Sequence, residues 1–376
     1  MMRRKVKILH SYKSFYPDLF GGIPYVLDRL SRLSPDKFEQ SILVTSRATK
    51  GSETRDGVLI ERVHSWGDLL SLPISPLYPF KLWLRARKSD LIVMHAPFPL
   101  ADMVLGLFLN RGKKLIVYWH SHIISQKRVY RIIRPLLART LKRADCIIVS
   151  HPSLAYEGSI LEPFRNKCAI IPYAVDTDVF RSPVERSTQS HGPVRLVACG
   201  RLVKYKGFDV LVEAARFIDA EIVIVGEGVE RAALLTQIAS AGLSQRVRLI
   251  GSLSKADLIT LLGSAEIFVF PSISAAETFG IAQIEAMACG CAIINTHIPT
   301  AVPEVARHGI EAITIAPNDC GALAGAINLL VRDASMRARL GTNARMRAVE
   351  LYDQVKYDSK LNDLLSNIAV GKKNGF

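Results

Sequence analysis

A chain of 376 residues is long enough for two or three domains, and 49% hydrophobic content against 22% charged supplies ample core, which argues against disorder. The 24 Gly and 18 Pro follow no period and the six Cys are scattered, which excludes collagen-like, fibrous and disulfide-scaffold classes. The formal charge of +15 is concentrated in one half: residues 1–181 hold 29 Lys/Arg against 15 Asp/Glu, and residues 182–376 hold 20 against 19.

The first ten residues are basic but lack the apolar stretch of a secretory signal. Strand-like apolar runs follow at 6–11, 40–45, 58–63, 90–95, 115–120, 146–150 and 169–172. The segment 91–109 is the most membrane-like, yet His95, Pro97, Pro99 and Asp102 interrupt it, and a spanning helix needs about 20 apolar residues. Residues 181–193 are polar, rich in breakers and without apolar period, which places the domain boundary there and divides the chain into 1–185 and 186–376. A second series of runs occupies 194–200, 221–226, 247–251, 267–271, 292–296 and 312–316, with helical periods between them such as 210–217, 230–241 and 255–262. Continuous β-branched runs separated by helices indicate buried parallel strands in βαβ units. The expected class is α/β, with two Rossmann-like doubly wound parallel sheets rather than one very wide sheet. Ligands of such sheets bind beyond the carboxyl ends of the strands, so the loops after strands carry the interest.

The loop after the first strand holds Gly21-Gly22-Ile23-Pro24 ahead of a helical pattern. Adjacent glycines let a backbone approach a phosphate at a helix start, although a flexible turn explains them equally well. After the run 194–200 come Arg201 and Lys206, where a parallel strand delivers its loop to the crevice. A guanidinium and an ammonium converging there would neutralise a diphosphate without a metal; the alternative is a solvated basic loop. The run ending at Pro271 leads to Glu277-Thr278-Phe279-Gly280 and then a helix bearing Glu285. Two carboxylates so spaced can touch opposite ends of one extended ligand, while the amides of Thr278, Phe279 and Gly280 are helix-start donors. Cys289-Gly290-Cys291 has no second pair or nearby His, and reads as buried thiols rather than a metal fragment.

Gly200-Arg201-Leu202…Lys206-Gly207-Phe208, the Glu277…Glu285 pair with Thr-Phe-Gly inside it, and Glu285-Ala286-Met287-Ala288-Cys289-Gly290 together resemble glycosyltransferase family 4, whose members are retaining and sugar-nucleotide-dependent. The match covers 194–316 closely and the first half more loosely. Tyr118-Trp119-His120-Ser121-His122 through Gln126-Lys127 is similar to a stretch of the family's bacterial cell-surface polysaccharide mannosyltransferases, with His122 where that branch carries Asp. The resemblance implies the GT-B fold, two Rossmann-like domains facing a central crevice, with the last helix packing back on the first domain. It implies that Arg201 and Lys206 hold the donor diphosphate, Glu277 the donor sugar and Glu285 the ribose. Gly21 or Gly22 would contact the phosphate, and His120, otherwise a satisfied core histidine, would face the anomeric region. It implies no cofactor and no divalent metal. GDP-mannose is the favoured donor, with UDP-glucose, UDP-N-acetylglucosamine and dTDP-rhamnose open.

The acceptor is suggested by charge. Arg128, Arg131, Arg134, Arg139, Lys142 and Arg143 form a run without an acid and with apolar residues between. Such a helix can lie on an anionic bilayer surface, or simply be a solvated face. Arg85, Arg87 and Lys88, with Arg111, Lys113 and Lys114, add to the field. No nucleic-acid-binding module appears. The reading is a cytoplasmic enzyme, peripheral on the inner face of the membrane, adding a sugar to a lipid-linked surface-glycan precursor such as lipopolysaccharide or exopolysaccharide. A sugar-nucleotide epimerase of the same fold and a non-catalytic sugar-nucleotide-binding partner subunit are its rivals.

Overall fold

The computed structural model describes residues 4–18, 22–69, 72–110, 112–120, 127–155, 158–181 and 194–371, with the side chains of 127–129 left out. By internal contacts the chain divides into two compact units, Met1–Pro172 with Tyr357–Phe376, and Tyr173–Lys356.

The first unit runs β1 (Val6–Ser11), α1 (Gly22–Ser31), β2 (Phe38–Ser46), β3 (Gly51–Arg55), β4 (Val58–His64), β5 (Asp68–Leu69), β6 (Leu72–Pro73), α2 (Leu77–Lys88), β7 (Leu91–Ala96), α3 (Pro99–Leu105), β8 (Lys114–Trp119), α4 (Lys127–Arg143), β9 (Cys146–Val149) and β10 (Cys168–Ile170). Its main sheet is ordered β10-β9-β8-β7-β1-β2-β4-β3. The strand order reverses at β1, which lies between β2 and β7 in parallel register, His10 opposite Ile42 and Val93. That reversal is the switch point where loops from neighbouring strands diverge and leave room for a ligand. β7 and β9 are buried along their whole length, and β8 from Leu115 onward, which is why 91–94, 115–119 and 146–149 read as apolar runs. The structure adds a strand not expected from the sequence, β3, which pairs antiparallel with β4 at the sheet edge. All five of its residues are exposed, so no apolar alternation marks it.

The second unit runs β11 (Arg195–Cys199), α5 (Phe208–Ala214), β12 (Glu221–Val225), α6 (Arg231–Ser240), β13 (Val247–Ile250), α7 (Lys255–Ser264), β14 (Ile267–Phe270), α8 (Ile281–Ala288), β15 (Ala292–Thr296), α9 (Val302–Val305), β16 (Ala312–Ile315), α10 (Cys320–Arg332) and α11 (Ala334–Leu351). The sheet β13-β12-β11-β14-β15-β16 is parallel throughout and reverses between β11 and β14. Its core packs Leu196, Ala198, Ile222, Ile224, Ile267 and Val269 against Leu211 and Ile327, all at most 1% exposed. The segment after Pro172 belongs here because Val175 N donates to Tyr352 O (2.9 Å) and Thr177 Oγ1 to Asp353 (2.6 Å). A last helix, α12 (Gln354–Ala369), starts on Gln354 N bonded to Val175 O. From Tyr357 onward it is part of the first unit, where Tyr357 Oη meets Tyr118 Oη at 2.9 Å.

Helices α7, α10 and α11 begin on side-chain caps, Ser254, Asp319 and Asp333. The helices that follow the two switch-point strands do not. α5 and α8 begin on Gly207 and Gly280, both left-handed and without a side-chain cap. A Ser or Asp there would satisfy the helix-start amides from within; glycine leaves them to another acceptor.

Candidate active site

In the second unit the turn after β11 and the loop after β14 meet at the switch point. Gly207 carries φ +68°, and a Cβ there would lie 2.1 Å from Pro271 O, so only glycine permits this approach. The turn delivers Lys206, whose ammonium lies 5.0 Å from the Phe270 ring centre and pairs directly with Glu277. Ser272 Oγ donates to the same carboxylate oxygen at 3.3 Å. Both charged side chains are 12% exposed. Burial works against the Lys206 cation, but Glu277 and Tyr205 outweigh it and hold the ammonium above its ordinary value. Arg201 stands exposed beside them, its guanidinium donating to Tyr205 Oη at 3.3 Å.

Gly280 (φ +85°) opens α8 against the Phe270 ring, 2.8 Å from where a Cβ would stand. Phe279 packs its ring edge-on to Tyr173 and Tyr352 and anchors the loop, so only its backbone is available to a ligand. Thr278 is buried and its carbonyl accepts from Ala301 N. Buried Gln283 and Asn295 hold the loop from below through the Phe279, Val302 and Ala306 carbonyls. Glu285 lies one turn into α8, and burial pushes its carboxyl up to about 7, with Lys255 pulling the other way. The Cys199 thiol at the end of β11 is pushed up by burial first and by the charge of Glu285 second. The loop cluster thus brings the Lys206 ammonium, the Arg201 guanidinium and the Glu277 carboxylate together, with Glu285 buried on the helix that follows.

In the first unit, His120 immediately follows β8, its N–H donating to Ala96 O. Its ring is 3% exposed, stacks on Tyr118 at 4.4 Å, and contacts His95 Nδ1 through Nε2 at 2.8 Å. Burial pulls His120 down to about 3 and His10 to about 4, and holds His95 well below the usual imidazole value. All three are neutral at pH 7. His10, His95 and Ser272 were missed from sequence, because single polar residues at strand ends announce nothing until the strands are side by side. Gly22 is exposed at the start of α1. Gly21 and His122 lie outside the described residues.

On α4, Arg131, Arg134, Arg139 and Lys142 are exposed, while Leu137 and Leu141 are buried. Ile132, between the arginines, is 79% exposed. Arg143 departs from the expected basic face: its guanidinium bonds the carbonyls of Asn110 (3.1 Å) and Lys113 and pairs with Asp145. It ties the end of α4 to the β8 edge. The side chain of Arg128 is not described. Arg85 and Lys114 are likewise neutralised, by Glu61 and Asp145. Among the described residues no helix is long and apolar enough to cross a membrane.

Comparison with known proteins adds the following. Residues 184–347 match the family model described as glycosyl transferases group 1, and residues 20–179 match glycosyltransferase family 4. The chain is 29% identical over 357 residues to O-antigen chain mannosyltransferase C of Escherichia coli, covering 92% of this chain and 94% of that one. It is 28% identical over 354 residues to a D-rhamnosyltransferase of Pseudomonas aeruginosa, covering 92% of each. The Anabaena protein HepE, crystallised in complex with UDP, superposes with a TM-score of 0.77 over 97% of this chain and 100% of its own, at 21% identity. At that identity the likeness speaks for the fold alone.

Proposed function

The chain belongs to glycosyltransferase family 4, with two Rossmann-like units of the GT-B fold, and from that premise we propose that it is a retaining hexosyltransferase acting in surface-polysaccharide synthesis. Its donor on this reading is GDP-mannose, and its acceptor a lipid-linked glycan precursor. The observation that carries the reading is the Lys206–Glu277 pair at the β11/β14 switch point, with Arg201 beside it and Glu285 on the uncapped helix behind.

Cleavage of the donor builds negative charge on the departing diphosphate. Lys206, Arg201 and the first amides of α8 stabilise that charge in a partly dehydrated setting, where fixed cations and dipoles are worth most. As Lys206 turns to the phosphate, the Glu277 carboxylate is released to accept hydrogen bonds from sugar hydroxyls, with Ser272 orienting it. Glu285 takes the ribose hydroxyls. Same-face attack, with the leaving phosphate helping to deprotonate the acceptor, gives retention without a carboxylate nucleophile, and His120 serves the anomeric region. Protein cations fill the part a divalent metal plays elsewhere, so turnover should survive EDTA. The exposed arginines of α4 with Ile132 between them suit an anionic bilayer surface, which is where a lipid-linked acceptor would be met.

A thermal-shift screen of GDP-mannose, UDP-glucose, UDP-N-acetylglucosamine and dTDP-rhamnose in EDTA tests the donor, since selective binding raises Tm by mass action. A preference for GDP-mannose supports the reading. A preference for another nucleotide sugar overturns the mannose assignment and leaves the transferase reading standing. Similarity to a D-rhamnosyltransferase is the reason deoxyhexose donors belong in the screen.

A further inference from the structure

Three histidines from successive strand ends form one chain in the first unit. Gln40 Oε1 lies 2.8 Å from His10 Nε2, His10 Nδ1 lies 3.4 Å from His95 Nε2, and His95 Nδ1 lies 2.8 Å from His120 Nε2. His10 and His95 are fully buried and Gln40 is 6% exposed. The direction of every bond follows from the far end. Gln40 Nε2 donates to the Leu33 carbonyl at 2.8 Å, an acceptor that cannot be reversed, so Oε1 is the atom facing His10. His10 must therefore donate from Nε2, and as a neutral ring it offers a lone pair at Nδ1. His95 answers with Nε2–H and is left accepting at Nδ1, which His120 answers with its own Nε2–H. The opposite order would face two lone pairs at the Gln40 or the His10 junction. The last bond is well formed: the His95 and His120 planes differ by 6° with centroids 5.1 Å apart, an edge-to-edge arrangement suited to a linear N–H···N bond.

We propose that Gln40, His10 and His95 are positioning residues that lock His120 in its Nε2–H tautomer, so that its Nδ1 works only as a hydrogen-bond acceptor. An imidazole in water exchanges between two tautomers and a cation; here the carbonyl of Leu33 selects one form three side chains away. The consequence deepens the role given to His120 above, and rests on it: His120 receives a hydroxyl proton of the sugar or acceptor in a hydrogen bond and does not donate to the leaving phosphate. The chain orders hydrogen bonds rather than storing a proton. With His120 near 3 and His10 near 4, the charged form is at most about a thousandth of the population at pH 7, too little for a relay.

The test is the 15N spectrum of the histidine rings in the intact chain. Between pH 6.5 and 8, His10, His95 and His120 should each show a protonated Nε2 and a bare Nδ1. A protonated Nδ1, a tautomer mixture or an imidazolium on His120 overturns the proposal. Gln40→Met supplies the contrast: it takes away the acceptor at His10 Nε2, so His10 is free to carry its proton on Nδ1 and donate towards His95, and His120 should then show the Nδ1–H form or a tautomer mixture. An unchanged His120 in a folded Gln40→Met variant would show that Gln40 does not set the order. With GDP-mannose and membrane extract, Gln40→Met should lower kcat several-fold with little change in KM, and His95→Gln, which can still accept and donate in the same order, should retain more activity than His95→Leu. The two readings fail separately. Full turnover by His120→Ala removes the role of His120 and leaves the spectrum intact, whereas mixed tautomers with an inactive His120→Ala remove the lock alone.

Discussion

The two units share an architecture and oppose each other in electrostatics. The first holds all the net positive charge of the chain, yet the strand ends at its switch point carry neutral, buried imidazoles. The second is close to neutral by count, yet its switch point carries an ammonium, a guanidinium and a carboxylate in its loops and a second carboxyl group on the helix that follows. Bulk charge therefore reports what a unit meets over long range, and the strand-end loops report what it binds. A surface field attracts an anionic membrane or substrate at a distance; a site needs each charge fixed against a partner. The same sheet accepts either chemistry, because the groups that carry it stand at the ends of strands whose interiors do nothing but pack.

If the charged site is where the donor binds, removing its centre should produce the largest change of all. Glu277→Ala is expected to lower transfer by about a hundred-fold or more in steady-state assays. The same change strips Lys206 of its counter-charge, so the variant should melt below the parent and regain more Tm than the parent does when GDP is added. Parental turnover in this variant would break the assignment. Exchanging Arg131, Arg134 and Arg139 together for Glu should weaken co-sedimentation with phosphatidylserine vesicles by about a hundred-fold, at about 1 kcal/mol per basic residue near the surface. Unchanged sedimentation would mean that the arginines of α4 face only solvent.

Titration sharpens the contrast, since the two sites should respond to pH in opposite senses. Glu285 is raised by burial, so it is protonated below about 7 and gains its charge above. Nucleotide affinity should rise several-fold from pH 6 to 8 as its carboxylate becomes available to ribose hydroxyls. Because the folded value exceeds the unfolded one, ionising Glu285 costs stability as pH climbs from the ordinary carboxyl range through 7. Glu285→Gln should accordingly flatten the affinity profile and raise the Tm of the unliganded protein at pH 8. The histidines of the first unit have the reverse sign. Their folded values lie below the unfolded 6.5, so the unfolded chain takes up protons first and stability falls as pH drops from about 6.5 towards 4. Tm measured between pH 7 and 5 should show this as the smallest of the four effects, a loss of a few degrees that His95→Gln reduces.

Much of this was legible in the chain itself. Apolar runs rich in Val, Ile, Leu and Phe mark strands whose centres are buried on both faces, and β7, β8, β11, β12, β14 and β15 were readable on that ground. Lys206, Glu277 and Glu285 stood out because they sit in short loops or helix starts directly after such runs, the place a parallel sheet offers to ligands. The edge strand β3 escaped because it buries nothing. Arg143 looked like one more basic residue of a surface helix, and only the fold brings the carbonyls of Asn110 and Lys113 to its guanidinium.

By itself, then, the sequence determined the elements and which of their ends carry chemistry, because burial period and loop position are local properties of a chain. It could not determine which end stands beside which. His10, His95 and His120 are separated by 85 and 25 residues, and Gln40 lies 30 from His10. Strand order alone makes them neighbours, by placing β1 next to β7 and β7 next to β8. The same holds for Lys206 and Glu277, joined by β11 lying against β14. Hydrogen bonds and ion pairs act over about 3 Å, and only tertiary structure brings groups so far apart in the chain to that distance.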